Sequence, residues 1–315
     1  MPKAPREKGF WATLLIGWIV LGAAGFEYAK LKGIPIPAAI PLLAAFLFAF
    51  PFYLVLGFPR LRERLSPHVS LVIAIAPYLI AVRFDVVALV KLIGIALVIA
   101  YWFRLPRHAL TDLLFLALYP AVLLGGILQA IYVPRVPILR GQTIFLGHFT
   151  QIILTILALM LVRRVAETGF GFPPTRREWR IGLVHYLIFV AVGLPLALAL
   201  HAIGWKTPAP LWSIAGTFLG FLWVASLAEE FLVRGVLQTW LEKWTGSVTA
   251  ALLIASVVFG LVHLGFGGRF PNWRWVLVAT ILGWCCGHAR NQAGNIRAGV
   301  VTHALAVATW RAFFS

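Results

Sequence analysis

Long apolar runs recur along this sequence at the length that a helix needs to cross a lipid bilayer. Two examples are the runs near residues 35–58 and 86–103. About 20 apolar residues in a helix span roughly 30 Å of hydrocarbon. The sequence contains no ten-residue stretches of alternating hydrophobicity, which are typical of barrel strands. The runs therefore predict an all-α protein, a polytopic bundle of transmembrane helices.

The number of these runs predicts about eleven membrane spans. Two of the runs are short, and one of these contains Pro77, so both are also compatible with re-entrant segments. The candidate spans lie near residues 10–28, 35–58, 69–82, 86–103, 109–132, 143–162, 181–203, 211–242, 248–265, 274–289 and 297–314.

The composition excludes a soluble globular domain. Hydrophobic residues make up 61% of the chain and charged residues 12%, whereas about a quarter of a soluble domain is charged. The net charge of +17 would suit a nucleic-acid partner, but most Lys and Arg residues lie in short connections, where they set orientation. We therefore expect membrane lipid as a partner, no nucleic acid, and a multi-pass protein of a bacterial-type inner membrane. Basic residues that include Lys3, Arg6 and Lys8 predict a cytoplasmic N-terminus.

The longest polar stretch, Arg163–Arg180, contains a Pro-Pro pair and five arginines. It predicts a boundary between an N-terminal transmembrane block of unknown role, residues 1–170, and a C-terminal domain, residues 171–315. In the first block Lys91 and Asp112 are the charged residues that lie within candidate spans. We expect them to pair, because an unpaired charge in hydrocarbon is costly.

The eighth candidate span carries two adjacent carboxylates and an arginine, Glu229, Glu230 and Arg234. Charges at that depth are costly to insert and indicate a functional site. Residues four apart share a helix face, so Arg234 can pair with Glu230, while Glu229 points about 100° away. One carboxylate thus stays available as a general base. A pair that only fixes helix packing would explain Glu230 and Arg234 but not Glu229.

Two histidines complete the candidate site. A short connection at Trp244–Ser247 joins the eighth span to the ninth, and Glu229 and His263 lie equally far in sequence from its centre. At about 1.5 Å of rise per residue they reach the same depth, which predicts that Glu229 or Glu230 meets His263 across the helix pair. His303 in the last span is compatible with this site and equally with an interfacial position. A carboxylate and an imidazole can act as base and acid.

The remaining histidines and the cysteines have no motif that would assign them a chemical role. The histidines interpreted as packed or interfacial residues are His148, His185, His201 and His288. Cys285 and Cys286 are adjacent in one apolar run, and their number and spacing fit neither a disulfide framework nor a zinc knuckle. We interpret both as small apolar packing residues.

Three motifs follow one another in the C-terminal part of the chain. They are Glu-Glu-x-x-x-Arg-Gly at Glu229–Gly235, Phe-x-x-x-His at Phe259–His263, and His303 in a His-Ala-Leu context. In this order they resemble the CAAX-processing and bacteriocin-processing (CPBP, or Abi) family of intramembrane proteases, to which the Rce1-type CAAX prenyl endopeptidase belongs. The resemblance covers roughly residues 175–315. It implies an endopeptidase that cleaves a membrane-associated peptide or protein.

The resemblance also implies a role for each residue of the candidate site. Glu229 would activate water, Glu230 and Arg234 would support it, and His263 and His303 would orient the water and stabilise the oxyanion. This mechanism needs no cofactor. A prenylated Cys-a-a-X tail is the eukaryotic substrate of the family, but the motifs describe catalytic machinery and do not identify the peptide.

The last motif departs from the family pattern. The family usually has Asn or Asp four residues after the final histidine, where this chain has Val307. Loss of an oxyanion donor typically lowers the rate about 10²- to 10³-fold. Asn291 or Asn295 is a candidate replacement for the donor. Otherwise the chain is a weak or inactive member of the family.

Alternatives to a glutamate protease stay open. Glutamate and histidine are both zinc ligands, so a zinc-dependent form of the same protease is one alternative, although the sequence has no His-Glu-x-x-His motif. A serine–histidine dyad with Ser256 is another, although a Gly-x-Ser-x-Gly motif is missing. A non-catalytic membrane protein, either an immunity-type binding partner or a transporter that depends on Lys91 or Asp112, is the third.

Overall fold

The computed structural model describes residues 7–165 and 168–315. Within these residues the chain is helical, and the only β-type pairings are the two isolated bridges Val82 to Pro134 and Trp205 to Phe314. The all-α prediction is therefore confirmed. The N-terminal Lys3 and Arg6, on which the predicted orientation partly rests, lie outside the described residues, and the cytoplasmic N-terminus stays a prediction.

The chain divides into two compact units, Met1–Arg164 and Val165–Ser315. The first unit is built from consecutive helices joined by short connections. These are α1 (Glu7–Leu31), α2 (Ile36–Val55), α3 (Pro59–Arg62), α4 (Val69–Ala81), α5 (Val86–Tyr101), α6 (Ala109–Leu124), α7 (Ile127–Ile131) and α8 (Arg140–Leu157), which continues as a π-helical turn over Ala158–Val162.

Helix α8 is the central helix of the first unit. It packs against α2, α4 and α5, and 72% of its most apolar window is buried within the protein, against 33% for α2. Local sequence signals set the ends of the surrounding helices. Asp85, for example, caps α5 because its carboxylate accepts a hydrogen bond from the Ala88 backbone N–H at 2.7 Å, which satisfies a donor that the first helical turn leaves unpaired.

The predicted pair between Lys91 and Asp112 is wrong. Asp112 forms a bidentate ion pair with Arg163, whose Nε and Nη2 donate to its two carboxylate oxygens at 2.8 and 2.7 Å, and the side chain of Lys91 is exposed. The reason is the position of Asp112 in the first turn of α6. A carboxylate is favoured at a helix N-terminus, and Arg163 follows directly after the π-helical turn at the end of α8.

The second unit has seven α-helices among the residues that the structure describes. They are α9 (Arg176–Ala199), α10 (Leu211–Gly220), α11 (Ser226–Glu230), α12 (Thr239–Thr245), α13 (Val248–Leu261), α14 (Trp273–Ala293) and α15 (Arg297–Phe313). The π-helical segments Phe221–Ala225 and Phe231–Gln238 join α10, α11 and α12 without a break. We call this continuous stretch, Leu211–Thr245, the long helix.

Turn chemistry places the long helix antiparallel to α13. Gly246 ends the long helix in the left-handed conformation, with φ of 66°, which glycine adopts without the steric penalty of a Cβ atom. The Ser247 hydroxyl then caps α13 by accepting a hydrogen bond from the Ala250 N–H at 3.2 Å. The helix connection at Trp244–Ser247 lies where the sequence predicts it.

Helix α14 is packed between α9, α13 and α15. Helices α9 and α15 pack tightly at Gly182, where an added Cβ would lie 2.7 Å from the Ala298 carbonyl oxygen. The Thr302 hydroxyl fastens the same crossing, since it donates to the Gly182 carbonyl at 2.9 Å. The candidate site is built on the helices that this core holds in place.

Six stretches of the described chain are long and apolar enough to cross a membrane. They are Gly9–Leu31, Ile36–Val55, Val86–Arg104, Pro137–Val162, Arg176–Ala199 and Leu211–Thr245. Every candidate span from the sequence coincides with one or more helices, but several of these are shorter or more polar than a full crossing requires. The protein is an integral membrane protein, whereas a count of about eleven spans stays a prediction.

Candidate active site

Glu230 and Arg234 form a completely buried ion pair in the middle of the long helix. Both side chains have 0% exposure, and Arg234 Nε lies 3.2 Å from Glu230 Oε2. This is the same-face pairing that a spacing of four residues predicts. The guanidinium also lies against the ring of Phe259 on α13, with its carbon atom 5.3 Å from the ring centre, a favourable cation–π distance.

A π-helical segment of eight residues, Phe231–Gln238, follows directly after Glu230. Its wider hydrogen-bonded turn contains more residues than the 3.6 of an α-helix, so side chains four apart stay closer to one line along the helix. Four polar residues share this line, and we call them the polar ladder: Glu230, Arg234, Gln238 and Glu242. Apolar periodicity did not predict the π-helix, and π-helical turns are frequent at functional sites.

His303 on α15 contacts both glutamates. Its Nδ1 lies 2.9 Å from Glu230 Oε1, and its Nε2 lies 3.8 Å from Glu229 Oε2. A carboxylate accepts the hydrogen bond, so Nδ1 is the protonated ring nitrogen and the bond sets the orientation of the ring. The 3.8 Å separation is too long for a hydrogen bond and leaves an electrostatic contact. His303 thus links the two carboxylates.

Glu229 differs from its neighbour in accessibility. Its side chain is 32% exposed, while that of Glu230 is fully buried. Arg234 and His303 occupy both oxygens of Glu230, whereas the contact of Glu229 with His303 is longer than a hydrogen bond. Glu229 is therefore the carboxylate that a water molecule or a substrate can reach.

His263 lies beside the site but does not bind the glutamates directly. Its Nδ1 donates to the Phe259 carbonyl at 2.8 Å, which leaves Nε2 of the neutral ring as an acceptor. The ring of Phe259 contacts His263 and His303, at centroid distances of 4.8 and 5.5 Å. The two histidines thus flank one aromatic ring.

The predicted meeting of a glutamate with His263 is not made among the described residues, where His303 takes this position instead. The prediction counted equal numbers of residues on both sides of the turn at Gly246 and assumed α-helical rise throughout. The π-helical segment changes the rise and the rotation of the long helix between that turn and Glu230.

Three further sequence hypotheses can be compared with the geometry. The Ser256 hydroxyl donates to the Leu252 carbonyl at 2.7 Å, and within the described chain it makes no hydrogen bond to a histidine.

Asn295 donates to Glu178 at 2.8 Å, and Asn291 accepts from Gln238 at 2.9 Å. These hydrogen bonds hold Asn291 and Asn295 to other side chains, and the replacement of the donor that Val307 lacks stays a prediction.

Cys286 on α14 is a site neighbour that the sequence interpretation missed. One ligand atom each from Glu230, Cys286 and His303 lies within 4.8 Å of the others, and all three residues are buried. Carboxylate, thiolate and imidazole are all accepted zinc ligands. However, Arg234 and His303 already bind both oxygens of Glu230, and the positive charge of Arg234 opposes a second cation there. The three ligand types therefore suit zinc, whereas the positive charge of Arg234 beside them disfavours it.

Two of the histidines interpreted as packed residues, the half-buried His148 and the buried His185, are hydrogen-bonded to other residues. His148 bonds to the Tyr119 hydroxyl at 2.7 Å. His185 donates through Nδ1 to the Ile181 carbonyl at 2.9 Å, and its Nε2 lies 3.0 Å from Nδ1 of His288. Both residues have the packing role that the sequence predicted.

The site thus places a partly exposed carboxylate beside a buried carboxylate, an arginine and a histidine, with a second histidine next to the shared Phe259 ring, within a helical membrane protein. Residues 210–309 match the family model described as "Type II CAAX prenyl endopeptidase Rce1-like". The match contains all five residues of the candidate site and confirms the resemblance to the Rce1-type family for this part of the chain. The family is one of proteases. No curated protein and no solved structure matches the chain.

Proposed function

We propose that this protein is an intramembrane endopeptidase in which Glu229 activates water to cleave a membrane-associated peptide or protein. The observation that carries the proposal is the inequality of the two glutamates. Glu230 is buried and fully engaged by Arg234 and His303, while Glu229 is accessible beside them. An accessible carboxylate next to an imidazole can act in general acid–base catalysis.

In the proposed reaction Glu229 takes a proton from a water molecule as the oxygen of that water attacks the carbonyl carbon of the scissile peptide bond. The tetrahedral intermediate then collapses and the C–N bond breaks. The leaving amine receives the proton that Glu229 accepted, which releases one carboxylic acid and one amine. Water and the peptide bond are the only groups consumed.

The other residues hold this arrangement and stabilise charge. Arg234 neutralises Glu230, and Glu230 orients His303 through the Nδ1 bond of 2.9 Å. Nε2 of His303 is thereby directed toward Glu229, where it can accept a hydrogen bond from water and, once protonated, donate one to the developing oxyanion. His263 has Nε2 free to receive or return a proton, since Nδ1 is held by the Phe259 carbonyl.

The test compares membrane fractions of wild-type cells and cells with the Glu229→Ala variant by quantitative proteomics. We expect at least one membrane-associated protein to accumulate as an uncut precursor in the variant. Glu27→Ala is the matched control, because Glu27 is exposed and its recorded partner is Lys30 on the same helix. A Glu229→Ala variant that fully complements a deletion strain would contradict the proposal.

A zinc-dependent form of the same protease is the first alternative, and the cluster of Glu230, Cys286 and His303 favours it. Cleavage by the purified protein in the presence of a chelator separates the two mechanisms. Undiminished cleavage supports the metal-free reaction, whereas complete loss with recovery on addition of zinc supports the metal-dependent one.

A non-catalytic membrane protein, either an immunity-type binding partner or a transporter, is the second alternative, and Val307 favours it. The transporter form requires flux that depends on Lys91 or Asp112. The bidentate pair of Asp112 with Arg163 gives that carboxylate a structural partner, so we rank the transporter below the protease. Contact with membrane lipid, the absence of a nucleic-acid partner and a bacterial-type inner-membrane location complete the proposal.

A further inference from the structure

Two neighbouring residues of the polar ladder bury polar atoms without a protein partner. Arg234 Nη1, Arg234 Nη2 and Gln238 Oε1 have no hydrogen-bond partner among the described residues, and both side chains are buried, with 0% exposure. A buried donor or acceptor that stays unsatisfied loses the hydrogen bonds it made to water, which destabilises the folded state. Three such atoms on successive positions of one helix face therefore call for a common partner.

Helix α14 presents bare backbone toward these atoms. A Cβ atom added at Gly283 would lie 3.1 Å from Arg234 Nη2, and one added at Gly287 would lie 2.9 Å from Gln238 Oε1. Alanine at either position would thus bring a methyl group into contact with a polar atom that has no partner. The two glycines, spaced four apart on one helix face, leave backbone beside these polar atoms, and Phe259 and Leu252 are apolar neighbours there.

Gln238 also connects this buried region to the protein surface. Its Nε2 donates to Asn291 Oδ1 at 2.9 Å and lies 3.4 Å from Glu242 Oε1, and Arg290 donates to both Asn291 and Glu242. Asn291, Glu242 and Arg290 line a pocket of about 490 Å³. Lys243, which also lines the pocket, is exposed, so the pocket opens at the surface.

We propose that water binds between Arg234 and Gln238 and exchanges through this pocket, so that the polar ladder forms a water route to Glu230 and Glu229. Water can accept from a guanidinium N–H and donate to an amide oxygen at the same time. The charges favour water over an ion, because the guanidinium repels a cation and the adjacent Glu230 carboxylate repels an anion.

The use of this route rests on the proposed function, since hydrolysis consumes one water molecule for each bond cleaved. A peptide must approach Glu229 from the accessible side of the site, and a bound peptide would obstruct the entry of water there. The polar ladder leads to the same carboxylates from the other direction along the long helix. Water can therefore reach the site while the peptide occupies it.

X-ray radiolytic labelling of the purified full-length protein tests the water site without relying on activity. Hydroxyl radicals formed from a bound water label the side chains beside it, and a preceding pulse of H₂¹⁸O reports whether that water exchanges. Leu252 is the reporter, because it is 6% exposed and its Cδ1 lies 2.4 Å from a Cβ built on Gly287. Leu146, with 0% exposure in the first unit, is the internal reference.

We expect Leu252 to be labelled with ¹⁸O in the wild type and Leu146 to stay unlabelled. Gln238→Met removes the amide at similar size, and the Leu252 label should be lost. Gln292→Met, the same change at an exposed position of α14, should keep it. If Leu252 of the wild type is not labelled, the water site is wrong. If Leu252 is labelled but the label contains no ¹⁸O, the exchange route is wrong. The wild-type result decides both points if Gln238→Met does not fold.

Glu229→Ala separates this inference from the proposed function. The variant should lose cleavage and keep the Leu252 label, because Glu229 does not belong to the ladder. Full cleavage with a labelled Leu252 would remove the proposed function and retain the water site. Lost cleavage with an unlabelled wild-type Leu252 would retain the proposed function and remove the water route.

Discussion

Among the described residues of the second unit, Glu178 and Glu230 are buried carboxylates that each pair with an arginine, and the two pairs differ in how completely their polar atoms are used. Glu178 on α9 accepts from Arg297 Nε at 2.9 Å and Nη2 at 2.7 Å, from Asn295 Nδ2 at 2.8 Å, and from the Thr175 N–H at 2.6 Å. Glu230 accepts one hydrogen bond of 3.2 Å from Arg234, which has two further nitrogens without a protein partner.

We interpret the Glu178 pair as structural, and the proposed function makes the Glu230 pair part of the active site. The Glu178 pair fastens the start of α9 to the start of α15, and its bidentate geometry is the strong form of an arginine–carboxylate contact. The Glu230 pair leaves two nitrogens of Arg234 without a hydrogen bond in the interior, which lowers stability. A pair that served packing alone would not be expected to keep these atoms unsatisfied. Local violations of good packing chemistry concentrate at functional sites. Four predictions test this comparison, from the largest expected effect to the smallest.

Replacing Glu229 with Gln should abolish most cleavage and leave the fold intact. The amide cannot accept a proton from water, so kcat should fall by about 10²- to 10⁴-fold. The measurement is kcat on a membrane-associated peptide substrate with the purified protein. Unfolding in detergent should change by less than about 0.5 kcal/mol, because Glu229 is partly exposed. Unchanged kcat would remove the proposed role of Glu229.

Replacing Glu178 with Gln should mainly lower stability. The change leaves the Arg297 guanidinium without its charged partner, and removing one partner of such a pair costs about 3 kcal/mol. Thermal unfolding in detergent measures the loss, with the exposed Glu63→Gln as the control. The kcat of the molecules that remain folded should equal that of the wild type. A large fall in kcat at unchanged stability would reverse the assignment of the two pairs.

Replacing Arg234 with Lys should give an intermediate loss of activity. Lysine keeps the positive charge beside Glu230 but lacks the planar guanidinium fork. The loss of one charge-assisted hydrogen bond corresponds to a decrease in kcat of about tenfold. KM should stay unchanged, because the Arg234 side chain is fully buried and offers no surface to a peptide substrate. A rise in KM at constant kcat would instead indicate a binding role.

Replacing Asp112 with Asn should have the smallest effect. Its partner Arg163 is 20% exposed, so solvent screens the pair, and the change should lower stability by about 1 kcal/mol. Cleavage should be unaffected, because the proposed reaction uses no residue of the first unit. Loss of function at unchanged stability would favour the transporter alternative, in which Asp112 takes part in coupling.

Helix positions could be predicted from the sequence because they depend on local properties. The runs predicted near residues 69–82 and 297–314 correspond to Val69–Ala81 and Arg297–Phe313. The turn at Gly246 followed from turn chemistry. The π-helical segment Phe231–Gln238 could not be predicted in the same way, because apolar periodicity carries no signal for one extra residue in a turn.

Within the candidate site the same limit applies. The spacing of Glu230 and Arg234 predicts their contact, since both lie on one helix. The shared partner of the two glutamates, His303 in place of His263, depends on how α13 and α15 pack against the long helix. The pair of Asp112 with Arg163 likewise joins residues far apart in sequence. Residue counting along a hairpin does not include the altered rise of a π-helix.

The sequence by itself determined the all-α membrane architecture, the order of the motifs and the same-face pairing of Glu230 with Arg234, because each of these depends on periodicity or spacing along one helix. Tertiary structure alone decided which glutamate is accessible, which histidine lies between the two carboxylates, and which nitrogens of Arg234 lack a partner among the described residues. These properties depend on contacts between helices, and such contacts follow from packing and register across the whole unit.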